Sequence, residues 1–175
     1  MAEVADEAGV ARSTVYRYFS TRGDLILGLL LKRVDAALEA VVRSLPEPGD
    51  AARCLPDLIL EPIGLVDGNP LNEALFSPGS AAFVSSLELG SEPLAAASVR
   101  HFGPLLERWQ AEGQVHADLD VDETIRWINA VALLCLSPPW RSRTKEAKRE
   151  FLERYLVRAL VVQGRPANQG RRSDI

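Results

Sequence analysis

The chain has 175 residues, 47% of them hydrophobic and 25% charged, with a formal net charge of −4. That make-up suits a globular protein with one full core, or a small head on a larger body, and it excludes a chain that is basic throughout, such as a histone-like protein. DNA binding stays open, because only the contacting face has to be basic. The opening MAEVADEAGV lacks the charged-then-apolar architecture of a secretion signal. No apolar run reaches the ~18 residues of a membrane span. Cys54 and Cys135 stand far apart without a C-x-x-C partner, so neither a zinc site nor a disulfide framework is expected. The expectation is a cytoplasmic protein with no membrane partner and no cofactor.

Helix formers dominate, and alternating Val/Ile/Thr runs and hairpin turns are scarce. The punctuation predicts the elements in order. Ala2–Ala8 is a short helix stopped at Gly9, and Arg12–Phe19 is a second short helix. A long one runs from Arg22 to Ser44, ended by Pro46 and Pro48. Ala51–Val66, Leu71–Phe76, Ala81–Leu89 and Leu94–Glu112 follow, with Asp67-Gly68-Asn69-Pro70 and Ser77-Pro78-Gly79-Ser80 as breaks. Asp122–Leu136 and Thr144–Gln163 close the fold, separated by Pro138-Pro139. The polar, Gly/Arg-rich tail from Gly164 to Ile175 is expected to be disordered. The division predicted is a head at 1–24, a helical body at 25–163 and the tail at 164–175.

The front carries the chemistry. Val4, Ala5 and Ala8 line one side of the first helix, with alanines small enough to let a second helix cross closely. Gly9 makes the turn, Val10 is expected to plug the corner, and Val15 and Phe19 form the buried stripe of the second helix. This spacing predicts a helix-turn-helix. Its outward residues are Arg12, Ser13, Thr14, Tyr16, Arg17 and Tyr18, with Arg22 beyond. From Gly9 to Gly23 there are three arginines and no acid, a local positive patch of the kind phosphate neutralisation needs. Arginine can meet guanine O6 and N7 bidentately, and hydroxyls suit phosphates and base edges.

The run AGVARSTVYRYFSTRGDLI resembles the signature of the tetracycline-repressor (TetR) family, roughly A-G-V-S-x-x-T-x-Y-x-Y/H-F-x-S/N-K-x-x-L. Ala8, Gly9, Val10, Thr14, Tyr16, Tyr18, Phe19 and Leu25 carry the match. The resemblance implies an all-α fold, with an N-terminal helix-turn-helix head joined by a long helix to a helical-bundle ligand-binding and dimerisation domain. It implies that Arg12–Phe19 is a recognition helix for the major groove, with DNA contacts at Arg12, Ser13, Thr14, Tyr16, Arg17 and Tyr18. Arg22 would take the place of the usual phosphate-contacting lysine. Ala11 stands where the family has a capping Ser, at a cost of about 1 kcal/mol that Ser13 would partly offset. The family also has a helix ahead of this motif. The first helix here lies at Met1, so the head is expected to lack that element, with the apolar faces around Val4, Val15 and Leu25 partly exposed.

In the back half, Asp122–Leu136 is apolar nearly all round, and Thr144–Gln163 repeats apolar pairs every four residues. A helix without a wet face has to be covered on several sides. By resemblance the pair forms a homodimer interface, assigned to Ile128, Val131, Cys135, Phe151, Leu152, Tyr155, Leu156 and Ala159. Such symmetry matches a near-palindromic operator in double-stranded DNA. The middle segment is expected to hold a cavity for a small apolar effector, lined by Phe76, Phe83, His101, Phe102, Trp109 and Trp127. The function read from all this is a ligand-responsive repressor. The alternative is a helical ligand-binding or interaction module without strong DNA binding. No enzyme is indicated: His101 and His116 lack i, i+4 spacing, and there is no Gly-rich phosphate loop or nucleophile elbow.

Overall fold

The computed structural model describes residues 1–46, 49–66 and 81–163. Two short helices, α1 (Ala2–Glu7) and α2 (Arg12–Tyr18), lead into α3 (Arg22–Ser44). The start of α3 is set locally by a capping box that the motif reading passed over. The Thr21 hydroxyl accepts from the Asp24 amide at 3.1 Å, and the Asp24 carboxylate accepts from the Thr21 amide at 2.8 Å. The helix stops at Leu45, which turns extended ahead of Pro46.

The body continues with α4 (Ala51–Val66), α5 (Ala81–Ala111), α6 (Val121–Leu136) and a 3₁₀ turn at Trp140–Ser142. Helix α7 (Lys145–Leu152) runs on through a π-helical turn, Glu153–Val157, into a last turn, Arg158–Leu160. Side-chain caps open two of these helices. Asp120 accepts from the Glu123 amide at 2.9 Å, and Thr144 accepts from the Ala147 amide at 3.2 Å.

Two boundaries differ from the sequence expectation. Where a break was expected between Ala81–Leu89 and Leu94–Glu112, α5 is one helix with Pro93 and Pro104 inside it. A proline removes one helical hydrogen bond, and the packing of α5 along both α3 and α6 holds the helix across that loss. At the other end, the last helix stops at Leu160 rather than Gln163. Val161 leaves helical geometry to bridge Val115, with the His116 amide donating to the Leu160 carbonyl at 3.0 Å and the Val162 amide to the Gln114 carbonyl at 2.9 Å. The expected Leu71–Phe76 helix and the tail from Gly164 lie outside the described residues.

The core lies where α3, α4, α5 and α6 meet α7. Leu55, Ile59, Phe102, Leu106, Trp109, Ile125, Leu152 and Leu156 are all fully enclosed there. Trp109 is fixed by its one polar atom, Nε1, which donates to the Gly49 carbonyl at 3.1 Å. Gln114 braces the same corner by accepting from the Ala51 amide at 2.7 Å. Among the described residues there is no strand beyond that one bridge, and no helix is long and apolar enough to cross a membrane.

Candidate nucleic-acid interface and cavity

The head is built by one glycine. Gly9 sits at φ +64°, the left-handed region where a side chain would be strained. Its amide donates to the Asp6 carbonyl at 3.1 Å and the next amide, Val10, donates to the Ala5 carbonyl at 3.0 Å. These bonds finish α1 and turn the chain into α2. Ala5 and Val15 are buried where the two helices meet. Val10, expected to plug the corner, is 43% exposed, because the corner is closed by Gly9's backbone bonds rather than by a side chain. Ala11 caps α2 without a side-chain bond, and Ser13 does not replace it. Of the apolar positions expected to be partly open, Val4 is exposed, Leu25 is half-buried and Val15 is buried.

On the outer side of α2, Arg12, Ser13, Tyr16, Arg17 and Tyr18 are exposed, as is Arg22 beyond it, while Thr14 is half-buried. Tyr18 is the most open large hydrophobic side chain among the described residues, at 70%. Two arginines lie over the tyrosine rings of the same helix, Arg12 at 5.4 Å from the Tyr16 centroid and Arg17 at 5.1 Å from that of Tyr18. Among the described residues none of Arg12, Arg17 and Arg22 is engaged in an ion pair. The seven residues named from the sequence therefore share one short helix and the start of the next, with their charge directed to solvent.

Residues 1–29 match the profile of the bacterial regulatory proteins, tetR family. The match places that family's pattern on α1, α2 and the start of α3. The fold of the chain is similar to that of a tetR family transcription regulator from Shewanella sp. PV-4, at a TM-score of 0.59 and 21% identity, over 93% of this chain and 87% of that one. No curated protein matches the sequence.

The head is tied to the body through α3. The Phe19 ring, just after α2, rests against Gly28 of α3, where an added Cβ would come within 3.0 Å of it. Further along α3, Asp35 accepts from Arg100 and lies 2.7 Å from His101 Nε2, both on α5. The hydrogen bond to His101, then that to Arg100, holds the Asp35 carboxyl below the usual carboxylate range.

Beside this clasp, a cavity of about 330 Å³ opens between α3, α4, α5 and α6. Its walls include Val34 and Leu38 of the same α3, Ile63 of α4, Phe102 of α5 and Leu133 of α6. Of the six residues expected to line it, Phe102 does. His101 is engaged with Asp35 on α3 instead, Trp109 is sealed in the core against Gly49, and Trp127 is 42% exposed on the outer side of α6. Phe76 and the Phe83 side chain lie outside the described residues. Aromatics were a poor guide for His101, Trp109 and Trp127, because the described walls are mostly aliphatic. Ser98 and Asn129, polar residues within apolar helical stretches, were the signal that could have located the cavity.

The expected interface residues divide in two. Ile128, Cys135, Leu152 and Leu156 are at most 1% exposed within the single chain, so the chain's own core takes them and they cannot reach a second copy. Val131 and Phe151 are half-buried, and Tyr155 and Ala159 face solvent. Trp127 and Leu134 of α6 join them on the outside, at 42% and 40% exposed. Trp140, Phe151 and Tyr155 form a run of ring contacts along this face, with centroids 4.2 Å and 5.0 Å apart.

Proposed function

We propose that the chain is a DNA-binding transcription regulator that grips its operator with α2 and releases it when a small molecule fills the cavity. The observation that carries the reading is the outward row of Arg12, Tyr16, Arg17 and Tyr18, with no carboxylate among the described residues neutralising it. Arg12, Ser13, Thr14, Tyr16, Arg17 and Tyr18 meet base edges and phosphates of the major groove, and Arg22 meets a flanking phosphate. Two copies pair through the outer faces of α6 and α7, around Trp127, Val131, Leu134, Phe151, Tyr155 and Ala159. The pairing sets two heads on successive grooves of a near-palindromic site.

The lever is α3. It carries the head at its N-terminal end and lends Val34 and Leu38 to the cavity wall, so a ligand that favours one placement of α3 also selects one placement of α2. Repression relieved by ligand is the direction proposed. The division at about residue 24, a head in front and an effector and dimer body behind, follows from this use of α3.

A gel-shift titration on the DNA upstream of the protein's own gene tests the reading. Binding is expected to weaken steeply as salt rises. Arg17→Ala or Tyr16→Ala should cost about 1–3 kcal/mol of affinity each while leaving the thermal melt unchanged. Salt-independent binding, or full affinity in both variants, would overturn it.

A further inference from the structure

We infer that the cavity takes a neutral, mainly hydrocarbon molecule that presents one hydrogen-bond acceptor, such as a ketone, ester or lactone oxygen, to the carboxamide of Asn129. The inference rests on the reading of this cavity as the effector site. Its volume, about 330 Å³, lies near the lower end of the range for small-molecule pockets.

The polar contacts define the chemistry. Ser98, 3% exposed, donates its hydroxyl hydrogen to Asn129 Oδ1 at 3.0 Å. That satisfies one end of the carboxamide. The other end, Nδ2, is closed off from solvent and has no acceptor. A buried donor left alone is costly and uncommon. Asn129 stands in the cavity wall, and the terminal torsion of asparagine is soft, so rotation about it offers that N–H to an acceptor held in the cavity. The unmet need is for an acceptor, because the carboxamide oxygen already has its donor.

Charge is excluded by a second observation. Arg126 is the one ionisable residue among the described residues of the wall. Glu92 takes it in a two-pronged pair, with both N···O distances 2.7 Å. The paired hydrogen bonds hold the Glu92 carboxyl low and push the Arg126 guanidinium's pKa up. An anionic ligand would have to displace Glu92, and a cation would find no carboxylate among the described residues of the wall. The other described residues of the wall, with Leu38, Ile63 and Leu133, offer hydrocarbon.

Four compounds of nearly equal size and shape test this by isothermal titration: acetophenone, its alkene isostere α-methylstyrene, benzoate and benzamidinium. Acetophenone is expected to bind at least about tenfold tighter than the alkene, the difference one buried hydrogen bond makes, and tighter than either ion. The double variant Ser98→Ala/Asn129→Leu, which removes both polar partners together, should keep its thermal melt and bind ketone and alkene alike. Asn129→Leu alone serves as the second variant, with the same levelling expected. Equal ketone and alkene binding by the wild type, no ketone binding at about 1 mM, or a preference for benzoate would overturn the inference. A gel shift with each compound is read separately. If acetophenone binds through Asn129 yet leaves DNA binding untouched, the regulatory reading fails while the cavity's chemistry stands.

Discussion

In the body, Phe102, Leu106 and Trp109 are enclosed on every side, and the single polar atom of Trp109 finds a backbone partner. In the head, Ala5 and Val15 are the buried apolar side chains, while Tyr16 and Tyr18 on the same short helix face solvent. Large side chains thus serve opposite ends in the two regions. In one they remove apolar surface from water, the chief source of folding free energy. In the other they are held out of the core, where another molecule can meet them. A six-residue and a seven-residue helix are too short to be stable alone in water. The head therefore takes its order from α3 and the turn at Gly9, and the body's stability is the head's support.

The largest effect should come from emptying the body. Trp109→Ala leaves a cavity and leaves the Gly49 carbonyl with only the long 3.4 Å bond from the Gln114 carboxamide, and a loss of about 3–5 kcal/mol is expected in chemical denaturation, with head and body unfolding together. A separate loss of the head at unchanged body stability would show that the two are less dependent than argued. Next comes Leu134→Asp, on the outer side of α6. The single chain should stay folded, since this side chain is already 40% exposed, but sedimentation velocity should show a monomer where the wild type is expected to sediment as the proposed dimer. A dimer that persists would move the pairing surface elsewhere.

Gly28→Ala acts at the junction. Alanine favours the helix by about 1 kcal/mol, and its methyl presses on the Phe19 ring, so global stability should change little while operator affinity falls as α2 is displaced. Unchanged affinity would mean that the ring yields without moving the helix. The smallest effect is expected at the exposed Asp35 clasp. A depressed carboxyl pKa contributes stability above its unfolded value and loses it as pH falls. Asp35→Asn should therefore melt slightly below wild type at neutral pH, and the two curves should converge as pH drops below about 4.

Much of this molecule is legible in its sequence where local chemistry decides. The bounds of α3 and α4 follow from Pro46 and the flanking punctuation, and the left-handed turn follows from Gly9. The exposed row of α2 is legible too, because arginine and tyrosine on a short helix have no core to enter. What is not legible depends on direction. The apolar residues of α6 lie on both sides of the helix, and periodicity alone does not say which side meets the chain's own core. Ile128 and Cys135 went in, while Trp127 and Leu134 stayed out. The break expected near Pro93 failed for a related reason, since a proline's local cost was weighed without the neighbours that packing supplies. Val161 left its helix for a partner at Val115, far away in the chain, which no local rule foresees.

The two cysteines, Cys54 and Cys135, are both buried, and burial pushes both thiols up from their ordinary range. Thiolate, the reactive form, is therefore scarce at neutral pH. Since these are the chain's two sulfhydryls, the native protein comes nearly silent to maleimide and nitroxide reagents. A Ser13→Cys substitution would then place a lone spin label on α2, and in the proposed dimer the separation of the two heads could be followed by pulsed electron resonance without first stripping any native residue.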